Sequence, residues 1–306
     1  MFAVSTCWKS SDAKRGDDII RPITEAGIDA VELEYRITED VFRDMVPALK
    51  RGRPSVLSVH NFFPLPSVLS SEQASGDSFL LSSPDKDERE RAVKYTLRTL
   101  EHAHEVGAAA VVLHLGRTDM DDGFSRLKEE QEAGTLGSTA TQTYIRQLLK
   151  ERETVTGKHL DAALFSLDKL WRPAERFAIK LGIENRYYLK EIPNADELRV
   201  ILDTFEGSPV AYWHDVGHAA VQETFYGIEH EMLLSEFSPC LLGVHLHDAE
   251  GASDHRAPGT GNVDFEMLRN YLSSATIRVM EPGPDVSDKQ VREGVEFLRQ
   301  KGVLIS

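Results

Sequence analysis

The chain has 306 residues, of which 41% are hydrophobic and 28% charged, and its 50 acidic and 35 basic residues give a net charge of −15. This composition is typical of a globular protein with a large core, and it excludes disorder as the main state. The charge disfavours a nucleic-acid partner held mainly through basic side chains, and no apolar run reaches the roughly 18 residues of a membrane span.

The cysteine content and the N-terminal residues indicate the cellular compartment of the protein. The two cysteines, Cys7 and Cys240, make no disulfide framework. The first residues lack the basic stretch and small-residue cleavage site of a secretory signal. The sequence therefore predicts a cytoplasmic protein without a membrane anchor.

Eight short apolar runs alternate with amphipathic stretches. The runs cover residues 2–7, 30–35, 55–60, 109–116, 178–185, 210–215, 241–248 and 276–281. Most are nearly continuous, as expected for parallel strands covered on both faces. Helical patterns lie between them: one ends near Gly27, and others cover residues 87–106, 194–205, 264–272 and 287–300. The last three begin with residues that are typical N-caps.

Eight strand–helix repeats predict an α/β fold, a single domain over residues 1–306 that closes as a (β/α)₈ TIM barrel. An open doubly wound sheet is the alternative, but no GxGxxG motif follows the first strand. Two long segments, residues 61–84 and 117–171, follow the third and fourth strands. Because both leave the carboxyl ends of strands, we expect them to form lids or walls of a site.

Histidine and carboxylate side chains gather at the predicted strand ends and in the loops that follow. They are His60, His114, Glu184, Asp215, His218, His245, His247, Asp248, His255 and Glu281. In a barrel these ends form one ring, so the side chains converge on one pocket. Any one of them alone would be an ordinary polar residue, but the grouping indicates a divalent metal centre, for which Zn²⁺, Mn²⁺, Co²⁺ and Fe²⁺ are suited. Such a cation would relieve the mutual repulsion of the acids.

Five motifs carry a resemblance to a known superfamily. They are GIENR (182–186), WHDVGHA (213–219), GVHLHD (243–248), DHRAPGTGNVDF (254–265) and VMEPGP (279–284). In this order and spacing they resemble the xylose-isomerase-like barrels. That superfamily includes sugar isomerases and epimerases as well as endonuclease-IV-type abasic-site nucleases.

Resemblance to the ketose epimerases implies one metal, held by Glu184, Asp215, His245 and Glu281. The two glutamates would exchange a proton at the carbon next to the carbonyl, and His218 would contact the substrate. His255, Arg186 and His247 are further candidates for substrate binding. His247 serves equally well as a supporting residue, and Arg186 as a salt-bridge partner on the rim.

Resemblance to the nucleases implies additional metals. His60, His114 and Glu184 match the ligands of a first metal, and His218 and His255 match two of the three ligands of a third. The remaining ligand in that family is an Asp two residues before the loop histidine. Here Ser253 occupies that place, and Asp254 is adjacent to His255 instead.

The leading hypothesis is therefore a divalent-metal-dependent sugar or sugar-phosphate isomerase or epimerase with a small carbohydrate substrate. The alternatives are a metal-dependent phosphodiesterase or abasic-site endonuclease that uses His60 and His114 for a second metal, and a barrel that binds a small molecule without turnover. One Mn²⁺ or Co²⁺ is expected for the epimerase, and two or three Zn²⁺ for the hydrolase. Many barrels of this type form homodimers, although the sequence reveals no interface.

Overall fold

The computed structural model describes residues 1–304, in which eight parallel strands form a closed barrel surrounded by helices. The barrel strands are β1 (Phe2–Ser5), β2 (Ala30–Leu33), β3 (Ser55–His60), β4 (Ala110–Leu113), β5 (Lys180–Glu184), β6 (Val210–Asp215), β7 (Leu241–Leu246) and β8 (Ile277–Met280). Each strand pairs in parallel with its neighbours in chain order, and β8 pairs with β1. The predicted (β/α)₈ barrel is confirmed, with a strand within each of the eight apolar runs.

Helices connect the strands on the outside of the barrel. In the described part of the chain they are α1 (Cys7–Ser10), α2 (Gly16–Glu25), α3 (Glu39–Leu49), α4 (Lys86–Glu105), α5 (Phe124–Glu132), α6 (Thr139–Val155), α7 (Gly157–Arg176), α8 (Ala195–Thr204), α9 (Val216–Tyr226), α10 (His230–Phe237), α11 (Phe265–Arg269) and α12 (Asp288–Gln300). Asn194, Asp264 and Ser287 accept backbone N–H bonds at the starts of α8, α11 and α12, so the predicted N-caps are confirmed.

The interior of the barrel is filled by one large aromatic side chain among smaller aliphatic ones. Trp213, on β6, is fully buried and points inward, since it is two residues before Asp215 on the same face. The neighbouring strands place glycines against its ring, Gly182 on β5 and Gly243 on β7. The indole therefore forms a floor beneath the strand ends, with its ring centre 5.2 Å from that of His245.

The two long segments differ from one another. Residues 61–84 contain only a short 3₁₀ turn, Ser71–Gln73. The segment after β4 is largely helical and includes α5, α6 and most of α7. Buried side chains of α5 and α6 pack against α9 in a separate apolar cluster, to which Leu127, Leu148 and Phe225 belong. The insertion thus covers one side of the barrel mouth.

No helix in residues 1–304 combines the length and apolar character needed to cross a bilayer.

Replacing Gly243 with Ala should test the packing of the floor. The added methyl group would overlap the Trp213 ring, and overpacking of this kind costs about 1–3 kcal/mol. We expect that decrease in the free energy of unfolding measured by urea titration. Gly137→Ala is the matched control, because nothing lies within 4 Å of its new methyl group. Equal stability of the two variants would contradict the packing described here.

Candidate metal and substrate site

Four strand ends bring together the first group of acidic and imidazole side chains. Glu184 and Asp215 are the last residues of β5 and β6, His245 lies near the end of β7, and Glu281 follows β8. His245 Nδ1 lies 2.8 Å from Glu184 Oε1, 3.2 Å from Glu281 Oε2 and 3.5 Å from Asp215 Oδ2. All four side chains are buried. The structure thus brings together the four residues that the sequence analysis selected as ligands of one metal.

A second group shares Glu184 with the first. His60 ends β3 and His114 follows β4, and their Nε2 atoms lie 3.5 Å and 2.7 Å from Glu184 Oε2. Although buried, this oxygen accepts no well-directed hydrogen bond. A buried carboxylate oxygen in this condition is unusual, since most such atoms are satisfied. Its surroundings therefore suit a bound cation better than a simple hydrogen bond.

Imidazoles beside the buried acids lower the pKa values of the carboxyl groups. Burial alone would raise the pKa of Glu184, but His114 and His245 beside it hold that pKa well below its usual range. Burial opposes ionisation of Asp215 as well, and His218 and His247 hold its pKa well below normal. Burial tends to lower the pKa of His245, but Glu281 and other nearby carboxylates raise it well above its usual value. In the metal-free site, positive charge on His114 and His245 thus balances the carboxylates, and a divalent cation would replace those protons.

The donor atoms fit a divalent metal. Carboxylate oxygens and imidazole nitrogens of five overlapping triplets lie within 4.8 Å of one another: His60–His114–Glu184, Glu184–Asp215–His218, Glu32–His245–Glu281, His218–Asp254–His255 and His247–His255–Glu281. A mixed oxygen and nitrogen set of this kind suits zinc and its first-row neighbours. The triplets join into one cluster across the barrel mouth, which contains the candidate metal ligands of the sequence analysis together with Glu32 and Asp254.

Glu32, on β2, supports the site in a way that the sequence analysis missed. Its Oε1 lies 3.0 Å from His245 Nε2, and its Oε2 accepts a 2.7 Å hydrogen bond from the Ser58 hydroxyl. A carboxylate on the outer nitrogen of a metal-binding histidine fixes the orientation and tautomer of the ring. Glu32 lies within the predicted strand 30–35, where the alternation of Glu32 with apolar neighbours indicates an inward side chain but not its contact with His245.

Asp77 was also missed, because it lies in the segment 61–84, which has no periodic pattern. Its Oδ2 lies 3.3 Å from His114 Nδ1 and 2.6 Å from Arg186 Nη2. Arg186 is buried and also binds Glu191 at 2.8 Å. The guanidinium that was a candidate for substrate binding therefore connects the loop after β3 to the loop after β5.

The outer part of the site contains His218, Asp254 and His255. His218 Nε2 and His255 Nε2 lie 4.0 Å and 3.6 Å from Asp254 Oδ2. Asp254 thus lies beside the two histidines although the family pattern has its aspartate one residue earlier, at Ser253. Residues Asp248–Glu250 and Ser253–Arg256 form a hairpin. Asp254 lies in the second strand of this hairpin, which places its carboxylate beside the two histidines.

The family follows from a sequence comparison. A family model described as xylose isomerase-like TIM barrel matches residues 20–301. The chain therefore belongs to the xylose isomerase-like TIM barrel family. A search of the curated proteins gave no significant match.

Solved structures share the fold over the full length of the chain. A D-tagatose 3-epimerase-like protein is 18% identical, with a TM-score of 0.69 and coverage of 99% of this chain and 97% of that chain. A D-psicose 3-epimerase from Clostridium cellulolyticum is 14% identical, with a TM-score of 0.66 and coverage of 98% of both chains. A putative xylose isomerase from Rhodospirillum rubrum is 14% identical, with a TM-score of 0.69 and coverage of 100% and 99%. At these identities the likeness is one of fold.

Addition of metal to the metal-free protein should raise its melting temperature, because a ligand that binds only the folded state stabilises it. At a Mn²⁺, Co²⁺ or Zn²⁺ concentration about 1,000 times Kd, the stabilisation is about 4 kcal/mol. Glu184→Gln should remove most of the shift, since Glu184 belongs to both inner groups. The control Glu129→Gln changes an exposed glutamate of α5 and should keep the shift. A wild-type melting temperature unaffected by all three metals would contradict the site.

Proposed function

We propose that the chain is a divalent-metal-dependent sugar epimerase or isomerase that moves a proton at the carbon next to a carbonyl. The observation that carries the proposal is the pair of buried carboxylates, Glu184 and Glu281, that contact the same imidazole nitrogen of His245 from different strand ends. Solved structures with the same fold are named as sugar epimerases, among them a D-tagatose 3-epimerase-like protein, an L-ribulose 3-epimerase and a D-psicose 3-epimerase. Their names support a carbohydrate substrate here.

Glu184, Asp215, His245 and Glu281 would hold the metal, for which Mn²⁺, Co²⁺ and Zn²⁺ are the candidates. A bound cation there supplies a Lewis acid that polarises the substrate carbonyl and its neighbouring hydroxyl. The four side chains are buried close to one another. A sugar bound there would therefore lie beside both glutamates.

The two glutamates would carry out the proton transfer. One carboxylate removes the proton from the carbon next to the carbonyl on one face of the sugar. The other, which must carry a proton when the sugar binds, delivers it to the opposite face, so the configuration inverts and the two glutamates exchange protonation states. Glu184 and Glu281 come from β5 and the end of β8, with β6 and β7 between them. This separation around the barrel supports proton transfer at both faces of the sugar carbon.

His218 would position a substrate hydroxyl. Its Nδ1 lies 3.0 Å from the backbone carbonyl oxygen of Asn185. Because a carbonyl only accepts hydrogen bonds, Nδ1 carries the proton in the neutral ring and Nε2 keeps a free lone pair. His255 has a similar arrangement, with Nδ1 3.2 Å from the carbonyl oxygen of Glu281. Both Nε2 atoms can therefore accept a hydroxyl proton of a sugar.

An uncharged sugar fits the site better than a sugar phosphate. Three arginines near the mouth are already paired with acids: Arg36 with Glu34 at 3.3 Å, Arg186 with Asp77 at 2.6 Å, and Arg256 with Glu250 at 3.1 Å. A phosphate would have to compete with these carboxylates and would meet the ionised acids of the centre. We therefore assign neutral keto-sugars as the substrate class.

Incubation with free ketohexoses and ketopentoses in D₂O, with Mn²⁺ or Co²⁺ present, should test the reaction. We expect the epimeric sugar to appear with one solvent deuterium at the inverted carbon, as measured by NMR and mass spectrometry. Loss of a positioned acid or base costs about 10²–10⁴-fold in rate. Glu184→Gln and Glu281→Gln should therefore lower kcat by that factor at saturating metal, and phosphorylated sugars should react with a lower kcat/KM.

An exposed glutamate offers the matched control, and Glu293→Gln on α12 should leave kcat unchanged. Absence of deuterium exchange with every keto-sugar at saturating metal would contradict the proposal. Sugar binding without any exchange would instead support the alternative of a barrel that binds without turnover.

The group of His60, His114 and Glu184 favours a second candidate function. Two metals that share Glu184 would suit hydrolysis of a phosphoester by a bridging hydroxide. This reading predicts two or more Zn²⁺ per chain and cleavage of bis(p-nitrophenyl) phosphate or of abasic DNA. His60→Asn and His114→Asn should then abolish the cleavage. One metal per chain together with no phosphoesterase activity would remove this candidate, and the charge of −15 already weighs against a nucleic-acid substrate.

A further inference from the structure

His247 is completely buried, and its two ring nitrogens have different partners. Nε2 lies 3.0 Å from both carboxylate oxygens of Asp215. Nδ1 lies 2.9 Å from the backbone nitrogen of His255, which is its hydrogen-bond donor. His255 is in the second strand of the hairpin of residues 248–256. The ring of His247 therefore lies between a candidate metal ligand and a loop of the outer pocket.

These partners decide the tautomer of His247. A backbone N–H only donates, so Nδ1 must act as the acceptor and carry no proton. The ring proton is then on Nε2, where it is directed at the Asp215 carboxylate. His255 holds a φ of 51°, which is uncommon for a residue other than glycine. Its backbone orientation is thus imposed by the hairpin, and the hairpin in turn sets the tautomer.

The hydrogen bond fixes the plane of the Asp215 carboxylate. Oδ1 also accepts the backbone N–H of His218 at 2.7 Å, as the N-cap of α9. Oδ2 lies 3.5 Å from His245 Nδ1, on the inner side of the site. With two donors holding the group, Oδ2 remains directed toward the point where the inner ligands meet.

The ring of His247 has one position available to it. A methyl group on Gly217, in the first turn of α9, would overlap the ring. On the other side the ring stacks on His255, with ring centres 4.3 Å apart and planes 14° apart. The glycine in the WHDVGHA motif is therefore needed for the close approach of the imidazole.

We propose that His247 is a positioning residue that fixes the Asp215 carboxylate for metal binding and couples it to the hairpin of residues 248–256. It acts through Asp215 and does not touch the sugar. The inference rests on the proposed metal centre, but it concerns a contact that exists before any substrate binds.

Two substitutions separate the two halves of the contact. His247→Asn keeps an acceptor near the position of Nδ1 and loses the donor to Asp215. His247→Gln places an amide N–H near the position of Nε2 and loses the acceptor for His255. We expect the Co²⁺ affinity of the metal-free protein, measured by calorimetry, to fall about 10–100-fold in the Asn variant, as for other supporting residues of metal sites. The Gln variant should lose less affinity.

A matched pair of glycine variants tests the seating of the ring without changing His247. Gly217→Ala should lower Co²⁺ affinity by a similar factor, because its methyl group displaces the imidazole. Gly157→Ala adds the same methyl group to a helical glycine with nothing within 4 Å and should not change the affinity. Unchanged affinity in both His247→Asn and Gly217→Ala would overturn the proposal.

The tautomer can be measured on the wild-type protein, which avoids any variant that fails to fold. In ¹⁵N-histidine-labelled, metal-free protein, two-bond ¹H–¹⁵N spectra should show a proton on Nε2 of His247, which faces Asp215. Absence of a proton from Nε2 would overturn the proposal.

Kinetics separates a positioning role from contact with the sugar. At saturating metal, His247→Asn should recover activity with an unchanged KM, because excess metal compensates for lost affinity. A raised KM would assign His247 to the substrate instead. The affinity and NMR measurements need no sugar. They therefore test the role of His247 even if the protein has no epimerase activity, and that result would contradict only the proposed reaction.

Discussion

The structure depends most on the burial of several carboxylates at one end of the barrel. Glu32, Glu184, Asp215 and Glu281 are each less than one-tenth exposed, and like charges in such a place repel strongly. An uncompensated buried charge is among the most destabilising features that a fold can contain. The imidazole of His245 lies among all four, within 3.5 Å of an oxygen of each. The fold therefore needs positive charge among these four carboxylates. A protonated imidazole supplies one unit of positive charge, and a divalent cation would supply two.

Barrel closure explains why this arrangement was largely predictable from the sequence. The apolar runs located all eight strands, and each candidate ligand was assigned by its position at the end of a run. In a closed barrel that position alone brings Glu184 near His245, since neither side chain needs a particular loop conformation. The packing beneath was less evident. That Trp213 forms the floor depends on Gly182 and Gly243 lying on its two neighbouring strands, which becomes apparent only from the register.

Residues that act from loops could not be predicted in the same way. Asp77 comes from a Ser- and Pro-rich segment without periodicity, and it reaches His114 only because Gly76 lets the backbone approach that ring. Asp254 occupies a place that the family pattern gives to the preceding residue, since the hairpin that carries it turns the side chain toward His218. Glu32 lies within a predicted strand, but its bond to His245 crosses the barrel and joins residues 213 positions apart. These contacts depend on three-dimensional distances that local patterns do not encode.

Three of the candidate inner ligands are held by a group from another element: His245 by Glu32, Asp215 by His247, and His114 by Asp77. Supporting contacts of this kind set the affinity and orientation of metal ligands as strongly as the choice of ligand. An inner set of carboxylates and imidazoles suits both proton transfer and phosphoester hydrolysis. What distinguishes the two chemistries in this chain is therefore the outer layer. Three of the arginines near the mouth are already paired with acids, and hydroxyl-accepting histidines line the outer pocket, so these contacts support the neutral sugar that we propose.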